Sequence, residues 1–315
     1  MKRFLLLILI VAAGVLAFVW YGSRARETVD VVIAPGSSLT AAARTLEKDG
    51  AIDSADRLLL VAKLFGPGQA IRPGEYRIVK GMSSNAILAL LQSGKVIQRF
   101  VAIPEGLPSV LVAEKLNAAE ALTGTVSAPP EGSVLPDNYA YTRGETRAAV
   151  LGRMQKAMQT AIANAWKTRK PATAAKSPEQ AINLAAIVEK ETGLASERRM
   201  VAAVYTNRIR IGMPLQADPT LIYPVTKGKP LGRRILRSEI NADSPYNTYR
   251  RTGLPPTPIT NPGLASIKAV LDPADSKAIY FVAKGDGSSV FAETLPEHNA
   301  NVAKYYALRR SRGEM

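Results

Sequence analysis

Carboxylates, amides, hydroxyls and basic side chains are the groups this chain has for catalysis. Its 315 residues include no cysteine and one histidine, His298. That removes thiol chemistry, disulfides and thiolate metal sites, as well as any metal site needing two imidazoles. A serine triad would rest on His298 alone, without a G-x-S-x-G elbow. Neither a P-loop nor a dinucleotide-binding glycine pattern occurs, so no cofactor is implied. Two carboxylates stand out, Glu189 and Glu191, in the run Glu189-Lys190-Glu191-Thr192 that closes an apolar segment.

The helix that must position them is well marked. Ser177 is an N-cap, Pro178 occupies the first turn, and Gln180 completes an S-x-x-Q capping box. Thr192-Gly193 supplies the stop, with the glycine as C-terminal cap. From Ala181 to Val188 only Asn183 is polar, so the helix is largely buried. Glu191 shares a stripe with Val188, Ile187 and Leu184. Glu189 lies about 200° further round, beside Ala185, Ala186 and Ile182. A carboxyl above a bulky aliphatic stripe is desolvated, which raises its pKa, and a general acid at neutral pH needs that. On local pattern alone the plainer alternative stands ahead: Glu191 paired with Lys190, Arg198 or another cation at a solvated helix end.

The wider chain sets the context. Lysine and arginine number 41 against 26 acidic residues, a net charge of +15 that calls for an anionic partner or surface. Nothing resembling a helix-turn-helix reader appears, so nucleic acid is not the partner. Phe4 to Tyr21 is an uninterrupted apolar run, long enough to span a bilayer. Lys2 and Arg3 before it place residues 1–3 in the cytoplasm by the positive-inside rule. The run ends in Phe-Val-Trp-Tyr instead of small residues, which favours a retained anchor at 4–22 over a cleaved signal. A linker at 23–29 follows, and the bulk of the chain lies on the outer side of the inner membrane, in the periplasm.

Beyond the linker, a short strand, a Gly/Pro turn and a short helix recur. The pattern runs from Val31-Val32-Ile33 to a helix at Leu39 towards Lys48, from Tyr76-Arg77-Ile78-Val79 to a helix through Leu91, and from Val101-Ala102-Ile103 to a helix from Pro108 to about Asn117. Serines are natural N-caps for the first two helices and Pro108 suits the first turn of the third. Another helix at Ser54 to Phe65, capped by Ser54 or Asp53, separates the first two copies. The order strand, helix, helix, strand in 30–98 resembles the LysM carbohydrate-binding module in architecture. From 99 to 315 an α+β catalytic domain is expected. It holds a long helix over Glu145 to Lys167, with Ala149, Val150, Met154, Met158 and Ile162 at helical spacing, and a hairpin over Ile279 to Glu293 around Gly285-Asp286-Gly287. Lys167-Thr168-Arg169-Lys170 reads as a solvated helix end, where cations suit the dipole. The fold class is α+β throughout.

The run Ala186 to Thr192 resembles the signature of the YceG-like endolytic murein transglycosylases (MltG). The likeness continues through Ala195-Ser196-Glu197-Arg198, Asn207 to Met213 and Leu215-Gln216-Ala217-Asp218-Pro219-Thr220. It extends to Ser244 to Tyr249, Thr252 to Pro256, Asn261-Pro262-Gly263, Tyr280-Phe281-Val282 and His298-Asn299. Glu131-Gly132 and Leu135-Pro136-Asp137 match the family's E-G-x-x-x-P-D turn, with Ser133 and Val134 where large aromatics are usual. The resemblance implies that the second glutamate, Glu191, is catalytic. It implies cleavage of the bond between N-acetylmuramic acid and N-acetylglucosamine inside peptidoglycan strands, leaving 1,6-anhydro ends. Termination of nascent strands beside peptidoglycan synthases would follow. Gln216, Asp218, Tyr223, Asn247 and Tyr249 are candidates to hydrogen-bond the sugar. For Asp218-Pro219 and Asn261-Pro262, turn chemistry is the alternative, and for Gln216 and Asn247 both readings stay open. His298 reads as a cap or core residue. The rivals are a non-catalytic glycan-binding scaffold and a pyridoxal-phosphate lyase, which would need a Schiff-base lysine and a phosphate cradle.

Overall fold

The computed structural model describes residues 24–65 and 70–313, together with Ile10, Val11 and Gly14. The expected anchor at 4–22 and the cytoplasmic tip lie almost entirely outside these residues. Among the described residues, no helix is long and apolar enough to cross a membrane. The chain divides into two compact units, one of residues 1–99 with 140–144 and one of 100–139 with 145–315.

In the first unit β1 (Val29–Ile33) pairs antiparallel with β2 (Gly74–Ile78), Val31 opposite Tyr76. Alternation along β1 turns Val31 and Ile33 inward and leaves Asp30 and Val32 outside, as a pleat requires. Asp30 and Arg77 face each other on the wet side in a two-pronged pair at 2.8 Å. Between the strands run α1 (Leu39–Lys48), capped by Ser38, and α2 (Ala55–Phe65). After them comes α3 (Ser84–Ser93), capped by Ser83. Their apolar sides close a core of Leu46, Leu58, Tyr76, Ile87 and Leu91. The Ser54 hydroxyl, not Asp53, accepts the amide of Arg57 in the first turn of α2. Glu75 is buried, with Arg99 and Arg143 on its carboxylate, and this pair joins residues 140–144 to the unit.

β3 (Arg99–Ala102) and β4 (Asn138–Tyr141) form a second small sheet, and the chain passes between units within them. In the second unit α4 (Ser109–Ala118) starts one residue later than its sequence indicates, with Pro108 as the N-cap and without a side-chain cap of its own. Glu131 supplies that cap from a distance, accepting the Ser109 amide at 3.0 and 3.1 Å. The long helix α5 (Arg147–Lys167) buries Val150, Met154, Met158, Ile162 and Ala165. Ala149 is exposed, because the buried stripe follows the i, i+4 row from Val150.

At the centre is α6 (Pro178–Glu191), with Ala181, Leu184, Ala185, Ala186, Ile187 and Val188 all buried. Around it pack α7 (Arg198–Arg210), α8 (Asp218–Thr226) and α10 (Leu264–Leu271), while the short α9 (Arg237–Ile240) lies on an exposed loop. The hairpin is as its sequence indicates: β5 (Tyr280–Ala283) pairs with β6 (Ser289–Ala292), and α11 (Leu295–Ser311) follows, closed by a Thr294–Glu297 capping box. Two expectations at the ends of α6 are corrected. Ser177 caps Gln180, but the Gln180 side chain accepts from the Lys176 amide, one residue outside the box. The helix is ended by Thr192 turning extended, its amide still bonded to Val188. Gly193 is not left-handed, so no glycine cap forms.

Candidate active site

Glu191 sits on the last turn of α6, above Val188, Ile187 and Leu184, none of which has measurable exposure. The backbone there turns away at Thr192, so the side chain is held at the edge of the core. Its Oε1 is buried and has no hydrogen-bond partner. Burial pushes the carboxyl up to about 7. A hydrogen bond from Tyr205 and the charge of Arg208 oppose that rise, while the negative charge of Asp218 adds to it. The group is therefore poised near neutrality, where a single carboxyl can both give and take a proton.

Tyr205 and Arg208 come from α7 and share a face at the i, i+3 spacing. Tyr205 is 1% exposed and stands edge-on to Phe281, ring centroids 6.1 Å apart. Arg208 is fixed by two carbonyls: its Nε donates to Ile279 at 2.7 Å and its Nη1 to Leu215 at 2.6 Å. Its guanidinium lies 5.5 Å over the Tyr280 ring, and His298 stacks on that same ring at 5.0 Å. Burial pulls His298 below its ordinary value, so it is a neutral packing residue there. The matched run Asn207 to Met213 includes Arg208 but not Tyr205, and no spacing rule singles either out. Their part depends on how α7 crosses α6.

The loop after α7 brings in a third group. Gln216 is one of two non-glycine residues with positive φ among those described, at 53°, a conformation costly for a residue with a Cβ and frequent near functional sites. Its amide donates to the Thr248 carbonyl at 3.0 Å, and the Ala217 amide to the Thr248 hydroxyl at 3.0 Å. That hydroxyl also meets Thr220 Oγ1 at 2.8 Å. These bonds lock the start of α8 to the 247–249 loop. The result is a 2.5 Å hydrogen bond from the Tyr249 hydroxyl to Asp218 Oδ1. Burial, and then Asp218, raise Tyr249 far above its ordinary value, so it remains a donor. Asp218-Pro219 opens a helix, not a bare turn, with Asp218 in the first turn where a negative charge is favoured.

The candidate residues thus fall into two groups. Asp218 and Tyr249 share the electrostatic environment of Glu191, and Gln216 is exposed on the same strained corner. Tyr223 lies further along α8, tilted against Tyr246 at 5.0 Å, with burial pushing it up to about 12. Asn247 is 1% exposed, and its side chain is used on backbone: Nδ2 donates to Ile240 and Ala242, and Oδ1 accepts from Tyr249. It shapes the loop that carries Tyr249. Val134 is buried, and its amide donates to Asn261 Oδ1; no aromatic stands there to stack on a sugar.

Glu189 has a different task. Its side chain is 6% exposed and 3.8 Å from Arg198, and its Oε2 accepts the Gly263 amide at 2.9 Å. Gly263 is the N-cap of α10. A Cβ there would stand 1.9 Å from Glu105 Oε1, so the glycine is needed for close approach.

A YceG-like family profile matches residues 31–304. The chain belongs to the YceG-like family. An endolytic murein transglycosylase of Bacillus subtilis (strain 168) is 29% identical over 319 residues, covering 91% of this chain and 87% of its own. One from Streptococcus pneumoniae (serotype 2, strain D39) is 26% identical over 332 residues, which are 90% of this chain but 59% of that relative. The crystal structure of a YceG-like protein from Listeria monocytogenes matches with a TM-score of 0.53 at 27% identity, over 87% of this chain and 99% of that one. A YceG-like chain of mixed α and β elements is thus placed by fold and by sequence alike.

Proposed function

We propose that this chain is an endolytic lytic transglycosylase of peptidoglycan, with Glu191 as its single essential acid and base. The observation that carries the reading is the carboxyl of Glu191, with Oε1 buried and without a partner, pushed up to about 7 beside Asp218 and Arg208. Relatives named endolytic murein transglycosylase supply the substrate class. Protonated Glu191 gives its proton to the oxygen linking N-acetylmuramic acid to N-acetylglucosamine, and the bond from the muramoyl anomeric carbon to that oxygen breaks. The muramoyl C6 hydroxyl bonds to the same carbon and returns its proton to Glu191. An ordinary glycosidase needs a second carboxylate for a nucleophile or water; an internal hydroxyl replaces it. Tyr205 and Arg208 favour the carboxylate in the interval between the two transfers. Asp218, held by Tyr249, opposes the positive charge developing at the anomeric carbon.

The same reading makes residues 4–22 a single-pass inner-membrane anchor with the catalytic part in the periplasm. It makes the 30–98 segment a LysM-like glycan contact, and it places the enzyme beside synthases whose strands it ends. Mass spectrometry of fragments from purified peptidoglycan tests the chemistry. Internal anhydro-ended fragments are expected from the wild type, and Glu191→Gln should lower their yield by ~10²–10⁴-fold. Hydrated reducing ends would make the enzyme a hydrolase, and binding without cleavage a scaffold.

A further inference from the structure

The side of α7 turned away from Glu191 carries a basic groove that the glycan chemistry leaves unused. Tyr205 and Arg208 point one way; Arg199, Ala203, Thr206 and Arg210 fall on roughly the opposite side at helical spacing. Two cavities of about 450 and 280 Å³ open there and share Lys170, Arg199 and Asp272 in their walls. Five cations line them, Lys170, Arg198, Arg199, Arg210 and Lys268, against the two carboxylates of Asp272 and Asp275.

Part of that positive charge is spent and part is not: Arg198 lies 3.4 Å from Glu105 and 3.8 Å from Glu189. Arg199 is held by Asp272 at 3.1 Å, and Arg210 donates to the Ala172 carbonyl. Among the described residues the ammonium groups of Lys170 and Lys268 form no ion pair. Arg198 Nε is buried without a partner. So is the Thr206 hydroxyl, on a residue 1% exposed that lines the smaller cavity. Buried donors without acceptors are costly, and a ligand oxygen would relieve them. The sequence makes Lys170 part of a solvated helix end, and the structure leaves it exposed there, where it also lines both cavities.

From Arg199 to Arg210 the groove runs about 16 Å along α7, the length of roughly five extended residues. Such a span suits a short peptide with several carboxylates better than a single small anion. We propose that this groove binds the carboxylate-bearing peptide stem of a glycan strand, as a contact separate from Glu191. The stem as the source rests on the transglycosylase reading; the preference for an anionic peptide rests on the groove itself.

Calorimetric titration of the full chain in detergent with a sugar-free stem tetrapeptide tests it. The free-carboxylate peptide should bind, and Lys170→Gln with Lys268→Gln should weaken it at least tenfold, the effect of losing about 1.4 kcal/mol. The same peptide with its carboxylates amidated should bind the wild type no better than the free peptide binds the double variant. Glu191→Gln should bind the free peptide as the wild type does. Absence of binding, equal binding of the amidated peptide, indifference to the double variant, or equal competition by inorganic phosphate would each overturn the groove. Wild-type protein that binds the peptide but yields no anhydro fragments would remove the transglycosylase reading while keeping the groove, and protein that cleaves without binding it would do the reverse.

Discussion

Glu189 and Glu191 are two residues apart on one helix end, and the core treats them differently. Glu191 keeps an unpartnered oxygen over an aliphatic stripe, and its carboxyl is raised from 4.5 to about 7. Between those two values the unfolded chain loses the proton while the folded one retains it, so stability falls as pH rises, and the loss is complete above the folded value. Its size is on the order of 3 kcal/mol. Glu191→Gln escapes this penalty. Denaturant melts should show the variant gaining on the wild type from about pH 5 to pH 8, with little difference near pH 4; a gap independent of pH would count against a raised carboxyl. Cleavage by the wild type should decline above about pH 7, as the acid loses its proton. Glu189→Gln removes a buried charge that faces Arg198 and caps Gly263. Desolvation of the partners left behind should cost roughly 1–3 kcal/mol, and activity per folded molecule should hold, as measured by titrating active protein after a thermal melt. Tyr249→Phe deletes the hydrogen bond to Asp218. With a charged acceptor this bond is worth roughly 1.5–3 kcal/mol, so turnover should drop about tenfold or more without a matching loss of fold; unchanged turnover would free Asp218 of any part in the chemistry.

Elements show which interactions a sequence can express. The start and register of α6 are legible because Ser177, Pro178 and an almost unbroken apolar run act within the helix itself. The hairpin is legible because Gly285-Asp286-Gly287 sits between two apolar strands. Partners that act across the chain are not. Glu131 caps α4 from 22 residues away, and Arg208 ties α7 to the hairpin through Ile279; neither follows from local spacing. Arg147 is the strongest case. Placed at the first turn of α5, it donates to the carbonyls of Leu116, Asn117, Ala119, Leu122 and Gly124. It thereby satisfies acceptors that the end of α4 leaves open. Lysine has one ammonium and cannot match that planar fork. Arg147→Lys should therefore destabilise the protein by roughly 1–3 kcal/mol and loosen α4 first, read as faster amide exchange there than in α6. Equal protection in both helices would place the loss elsewhere.

At the scale of the whole chain, the charge of +15 is a statement about partners more than about fold. Among the described residues much of it lies on exposed lysines and arginines, and the groove along α7 concentrates a part of it in a cavity wall. Attraction between exposed charges is screened over about 8 Å at physiological salt. Contact with the carboxylates of a cell-wall polymer should therefore weaken steeply as salt rises, whereas proton transfer at the buried Glu191 should not. Glu191→Gln protein, which on the proposed mechanism leaves the polymer uncut, separates the two effects in a sedimentation assay with isolated sacculi. The bound fraction should fall progressively between about 50 and 500 mM salt, as screening shortens the range of exposed charge. Deleting residues 30–98 should lower binding further at every salt concentration if that segment contacts glycan, and should leave it unchanged if the segment only packs. Wild-type turnover at saturating sacculi should change little over the same range if, as proposed, its acid and its base are one desolvated group. Turnover that falls in step with binding, even at saturation, would mean that the exposed charge acts in the chemical step and not merely in holding the strand.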